Sequence, residues 1–482
     1  MRTAAPHGSV KAMSTQTTLG VWVLDLTFPG YMDRWYKLAA EFEKAHPQYR
    51  VEIRGVNFFN GAKEIAAAVA EGHGPAIADY YFYMSQPARD TRAPDGEPQY
   101  TSVERAIGGR TEILGEPVVL DDIIPGMRQC YTQDGDLTSM PSVGTVFLQY
   151  TNNDLLARAG LTEPPRTWDE LESACEAVAG IENGPAHAAT WPNHGMLFLQ
   201  ALASQGGLVA DSRNGGTGRT STVDLASKEM VNWVSWWQRM HRDDHYLHTG
   251  GIPDWMPSFG AFGEQNVAIR LSSSNDVNYT VRAAAEAGFD VSVSPYPYNA
   301  QIPYAGNTIA GSSLWLANRL DEVTQDGALA FLQFVHNPRN AAERHKAHSF
   351  LPLTHSAFDL LESEGWFAEN PHHRVPSEQL NTLPDRPAGD GTPYVAGIHI
   401  GDFAGIQDVL TRAVADVLQN DADPVDRLAS ATDDAQRLLE AYNAEATSAT
   451  GPASDNSLRF EYFRDAKPYK GADMENVVEL KR

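Results

Sequence analysis

The densest group of ionisable side chains is "MHRDDHYLHTG", which holds His241, Asp243, Asp244, His245 and His248. Imidazoles and carboxylates bind zinc, and His241 and His245 stand four apart, the spacing that puts two rings on one helical face. The Asp243-Asp244 step and the Gly250-Gly251 pair mark a helix that is ending, so a hydrated polar terminus is the better reading. A second histidine pair, His372-His373 in "NPHHR", has no further ligand at metal spacing. The glycine-rich "RNGGTGR" (213–219) lacks the Lys-Ser/Thr of a phosphate loop, and no G-x-S-x-G nucleophile turn occurs. Catalysis, metal and cofactor therefore find no positive support. Recognition without turnover remains, and 10 Trp, 18 Tyr and 18 Phe supply a core with rings to spare for a pocket.

Bulk properties narrow the partners. The formal charge of −25, from 37 basic and 62 acidic residues, opposes non-specific binding to nucleic acid or anionic lipid. At 482 residues with 42% apolar content, the chain predicts two or three folded domains. Two cysteines, Cys130 and Cys175, make no disulfide framework or C-x-x-C site, and their spacing does not decide whether they pair. "MRTAAPHGSVKAMSTQTT" lacks the apolar run of a secretory signal, which predicts a mature or trimmed form or a cytosolic protein. No segment approaches the length of about 18 apolar residues that spans a bilayer, so a water-soluble protein is expected.

The elements that would position a pocket read as a wound α/β chain. "LGVWVLDL" (19–26) is a β-rich apolar run, "YMDRWYKLAAEFEKAHP" has helical spacing, and "YRVEIRGV" (49–56) alternates. A further helix at "NGAKEIAAAVAEGHGP" and a strand at "AIADYYFY" (76–83) extend a parallel sheet whose carboxyl edge faces a ligand. "TSMPSVGTVFLQYTN" (138–152) is extended but carries Pro141 and Gly144, which suits a crossing between two lobes. Helices are predicted at 167–179, 194–205, 226–242, 323–336, 402–418 and 424–445, with a return crossing at 266–276 and a strand at 308–317. In "EPPRTWDEL", Thr167 is an N-cap and Glu170 completes a capping box, with Trp168 and Leu171 on the inner face.

Four segments in order resemble a known family. "FLQYTNNDLLARAGLTEPPRTWDEL" (147–171), "FGAFGEQNVAIRLSSS" (259–274), "IAGSSLWLANR" (309–319) and "FLQFVHNPRNAAERHKAHSFLPLTHSAF" (331–358) are similar to the solute-binding proteins of ATP-driven importers. That class includes maltose-binding and glycerol 3-phosphate-binding proteins, and the phrasing is closest to the latter branch. The resemblance covers roughly residues 19–445 and implies a two-lobed α/β fold, the type II periplasmic-binding-protein architecture, closing on a solute by hinge motion. The implied lobes are 19–141 with 274–337, and 142–273 with 338–450, followed by a tail at 451–482.

The resemblance also implies a set of site positions. The branch's Tyr and Glu after its second and third strands fall near Phe58 and Phe82, and its Trp pair becomes Trp191 and His194. Its small positions match Gly144, Thr145, Ser273, Ser274 and Gly311, and its last aromatic and its arginine become Phe350 and His399. Arginine suits phosphate, and histidine is mostly neutral near pH 7, so a neutral sugar, a glycoside or another partly apolar small molecule is expected over glycerol 3-phosphate. Trp191, Phe58 and Phe82 would supply stacking faces, and Thr145, Ser273, Ser274, His399 and Asp25 would hold hydroxyls. Against this, Phe58 and Phe82 flank strands as core residues do, and Ser273 and Ser274 suit a cap. The expected partners are a carbohydrate-like solute and an importer permease, the chain is expected to be monomeric, and its location to be extracytoplasmic. A cytosolic enzyme or sensor on the same frame is the second reading.

Overall fold

Leu19, Val21 and Val23 alternate along the first predicted strand and are fully buried, which lays one face of "TTLGVWVLD" on the core. The computed structural model describes residues 16–26, 28–58, 61–193, 195–249, 255–381 and 395–446. Ten strands form the two principal sheets among these residues: β1 (Thr17–Asp25), β2 (Tyr49–Asn57), β3 (Ile77–Tyr81), β4 (Tyr100–Thr101), β5 (Met140–Thr145), β6 (Phe147–Asn152), β7 (Ala189–Thr190), β8 (Ile269–Ser273), β9 (Val291–Pro295) and β10 (Ala310–Ala317).

The first sheet has the order β2-β1-β3-β10-β4, with β5 also paired to β10. β1 runs parallel to β2 and β3, so the connecting helices Tyr31–Ala45 and Gly61–Ala70 are crossovers, as the βαβ pattern predicts. β10 is antiparallel to β3, β4 and β5. Among the described residues β5 pairs with β10 alone, so Pro141 sits on an edge strand where its missing N–H costs no ladder bond. The register shifts between Ser312 and Ser313, a bulge that lets β10 follow the bent partner.

The second sheet has the order β7-β8-β6-β9 and forms the frame of the other lobe. Its helices include Trp168–Ala179, Gly195–Gln205, Lys228–Arg242 and Phe403–Gln419. The helix at Lys228–Arg242 ends where the Asp243-Asp244 step implies, with Asp243 as its C-cap. Thr167 Oγ1 accepts from the Glu170 N–H at 3.2 Å, the expected cap, and the Glu170 carboxylate accepts from the Arg166 N–H at 2.7 Å.

Two boundaries differ from the sequence-based ones. Residues 266–276 are not the return crossing: Ile269–Ser273 is a buried strand of the second sheet, antiparallel to β6, and β9 (Val291–Pro295) joins the same sheet. The return runs through 296–309 instead, after which β10 enters the first sheet. The helix Pro338–His348, assigned from sequence to the second lobe, packs on Tyr31–Ala45, with the Arg344 guanidinium 5.1 Å over the Trp35 ring. The chain regains the second lobe near Pro371–Asn381, where the Gln379 carbonyl and side chain hold Asn307 and Tyr296. The tail from 447 lies outside the described residues.

Candidate functional site

A single residue, Val146, separates β5 in one sheet from β6 in the other. Its N–H donates to Ser274 Oγ at 3.1 Å, and its carbonyl accepts from the Ser274 N–H at 2.8 Å, so one serine satisfies both backbone groups of the joint. Tyr150 adds an O–H bond to the Ser273 carbonyl at 2.7 Å, and the Leu351 N–H donates to the Gly144 carbonyl at 2.8 Å. Gly311 lies against this joint: a Cβ there would meet the Val143 carbonyl oxygen at 1.9 Å. Only glycine permits that approach.

Beside the joint, at the carboxyl ends of β1, β2 and β3, lies a cavity of about 220 Å³. Leu26, Phe28, Asn57, Phe58 and Tyr81 line it from the strand ends, Val143, Thr145 and Gly311 from the crossing, Phe350 from below and Asn275 from the second lobe. The Tyr81 hydroxyl reaches Met196 Sδ on the second-lobe helix Gly195–Gln205, at 3.9 Å. Burial raises the Tyr81 phenol well above its ordinary range, so it stays neutral. Tyr31 packs behind the Phe350 floor, edge-on at 6.2 Å, and also against His348 at 5.6 Å. Deeper still, Asp79 is fully buried, its carboxylate accepting from the Leu24 N–H at 3.3 Å, and burial lifts its pKa to about 7.

Of the positions chosen from sequence, Phe58, Thr145, Gly311 and Phe350 line this cavity together. Asp25 is the last residue of β1, immediately before the lining residue Leu26 and opposite Asn57 in register. Gly144 lies between two lining residues but faces away, since a Cβ there would meet Met127 Sδ at 2.7 Å. Ser273 and Ser274 serve the joint, and Asn275 is the residue that reaches the cavity. Phe82 is core rather than wall: it is buried against Tyr81, Tyr83 and Phe403. His194 lies outside the described residues.

Two further positions lie apart from this cavity. Trp191 is fully buried, stacked on Trp236 at 5.5 Å and 6° and packed against Trp233, Trp237 and Tyr246. It belongs to a tryptophan core that Trp168 extends, stacked on the other side of the cluster against Trp236 at 5.1 Å. His399 is buried too, its backbone N–H donating to the Asn214 carbonyl at 2.8 Å; burial, followed by the Arg89 charge, holds the imidazole pKa down to about 4. It does not line the cavity.

Sequence reasoning missed Leu26, Phe28, Asn57, Tyr81, Val143 and Asn275. Tyr81 was visible as the end of an apolar strand, but the strand stops there and Phe82 opens a 3-10 turn that carries its ring into the core. Elsewhere, the described residues contain no group of three or more His, Cys, Asp or Glu able to hold a metal ion. Cys130 and Cys175 are both buried and unpaired.

Residues 37–375 match the family described as bacterial extracellular solute-binding protein. The sn-glycerol-3-phosphate-binding periplasmic protein of Salmonella typhimurium is 25% identical over 413 residues, 84% of this chain and 89% of that protein. Three solved structures share the fold. A cyclic α-maltosyl-1,6-maltose binding protein from Arthrobacter globiformis superposes with a TM-score of 0.70 at 17% identity, over 88% of this chain and 100% of that one. The sugar-binding protein MalE of Xanthomonas citri gives 0.69 at 17% identity, over 89% and 98%. UgpB of Mycobacterium tuberculosis, solved with glycerophosphocholine, gives 0.68 at 18% identity, over 88% and 99%.

Proposed function

Because this chain belongs to the bacterial extracellular solute-binding proteins, we propose that it captures a small, partly apolar solute between its lobes and delivers it to an ATP-driven importer. The observation that carries this reading is the position of the cavity. It opens at the carboxyl edge of β1, β2 and β3, beside the one-residue crossing at Val146, and Asn275 of the other lobe completes its wall. A solute touching residues from both sides of such a joint favours the closed state, and differential affinity is what drives closure.

The wall defines the solute class. Among the described lining residues there is no basic side chain, while Asn57, Thr145 and Asn275 offer donors and acceptors within otherwise apolar and aromatic surroundings. Relatives and structural neighbours carry names that speak of glycerol 3-phosphate and of maltose-type sugars. A wall without an arginine or lysine disfavours an anionic solute and leaves a sugar, a glycoside or a related small polar molecule. A location outside the cytoplasmic membrane and a monomeric state belong to the same proposal. No helix among the described residues is long and apolar enough to cross a membrane.

Isothermal titration and thermal shift against neutral sugars, glycosides and sn-glycerol 3-phosphate test this, with product analysis to exclude turnover. The expected result is stoichiometric binding of a solute that carries no phosphate and a raised melting temperature, because a ligand of the folded state stabilises by mass action. Tight binding of glycerol 3-phosphate with none of the neutral solutes would reverse the assignment of solute class.

A further inference from the structure

The rings of the cavity do not form a platform. Phe58 and Tyr81 meet edge to face, 5.0 Å apart and at 78°, and Phe28 and Phe350 meet at 6.0 Å and 63°. All four line the cavity, and within each pair the rings meet at a steep angle. Tyr279, from the second-lobe helix Val277–Ala287, stacks behind Phe28 at 6.1 Å and 25° and holds that wall in place.

Shape separates two ligand chemistries here. A sugar ring is flat and stacks on a broad aromatic face, with a hydroxyl partner for nearly every edge position. A tetrahedral group with methyls on all sides fits a box of perpendicular rings, and if that group is cationic each ring face adds an electrostatic attraction. The described lining offers four amide or hydroxyl side chains, Asn57, Tyr81, Thr145 and Asn275, and five apolar or aromatic ones besides Gly311. Charge agrees with shape: no lysine or arginine stands among the described lining residues, and the whole chain carries −25.

Resting on the cleft as the solute site, we infer that the box formed by Phe28, Phe58, Tyr81 and Phe350 takes a methylated ammonium group, and that the solute is a small quaternary amine bearing a hydroxyl or similar polar end. The polar end faces Asn57, Thr145 and Asn275. The Tyr81 hydroxyl, in contact with Met196 of the other lobe, ties occupation of the box to closure.

The test uses the full chain and isothermal titration with choline, glycine betaine, the neutral isostere 3,3-dimethylbutan-1-ol and methyl glucoside. Choline is expected to bind at least about tenfold more tightly than its neutral isostere, the size of a desolvated cation–π contribution. Tyr81→Leu and Phe28→Leu should each remove that preference while circular dichroism stays unchanged; two variants keep the test alive if one fails to fold. Preference for glycine betaine over choline would keep the ammonium assignment and make the polar end a carboxylate. Equal affinity for choline and the isostere would show an apolar box without charge recognition and overturn the inference. Binding of methyl glucoside with no response to either amine would overturn it too, while leaving the solute-binding reading intact. Silence from every solute in both panels would sink both.

Discussion

At the scale of single residues, the tryptophans and glycines carry the clearest consequences. Trp191 stacks inside a cluster in which Trp233, Trp236 and Trp237 recur at helical spacing on one face of Lys228–Arg242. Trp191→Ala is therefore expected to destabilise the fold by about 3 to 5 kcal/mol through the cavity it leaves, with Trp191→Phe less severe. Urea unfolding measures this, and a folded, fully stable Trp191→Ala protein would remove the residue from the core. Gly311→Ala places a methyl where the Val143 carbonyl already sits, so it is expected to cost at least about 2 kcal/mol or to push β5 off β10. The sequence made these two residues legible to different degrees. Gly311 shows as a small residue in a strand that requires a close approach, whereas Trp191 before Pro192 looks like a loop residue until the distant helix that buries it is in place. His399 is the same case, since Asn214, whose carbonyl accepts its backbone N–H, is far away in the chain. Burial created by long-range packing leaves little local trace.

At the scale of elements, local signals did well. The predicted strand at 49–56 is Tyr49–Asn57, and the predicted helices at 323–336 and 424–445 are Glu322–Val335 and Pro424–Ala446. Period and capping fix such segments from within. What escaped was partnership: β8 has the extended pattern expected of 266–276, but its pairing with β6 and β7, and not its own residues, makes it a sheet strand instead of a crossing. The cap at Thr167 belongs to this scale. Thr167→Ala removes the acceptor for the Glu170 N–H and is expected to cost about 1 kcal/mol in urea unfolding without changing affinity for any solute, because the helix it starts packs away from the cavity. A loss of affinity with unchanged stability would contradict that placement.

At the scale of the whole molecule, buried imidazoles set the response to acid. Burial holds His336, His348, His373 and His399 to about 4 and His345 to about 3, against 6.5 in the open chain. Between those values the unfolded chain binds more protons than the folded one, so stability is lost as the pH falls from 6.5 towards 4. Asp79 works in the other direction, since burial raises its carboxyl from 3.8 to about 7 and its contribution declines as the pH rises through that window. Five imidazoles against one such carboxyl predict a melting temperature that drops on acidification from about pH 7 to about pH 4.5. Calorimetry across that range checks it, and a melting temperature that rises would refute it. The joint at Val146 adds a mechanical consequence. With both its peptide groups held by Ser274, the link behaves as a pin and not as a slack tether: the lobes can pivot about it but not drift apart. Deuterium should therefore enter the Val146 and Ser274 amides slowly, with or without solute, in a place where a loosely strung linker would exchange within the dead time.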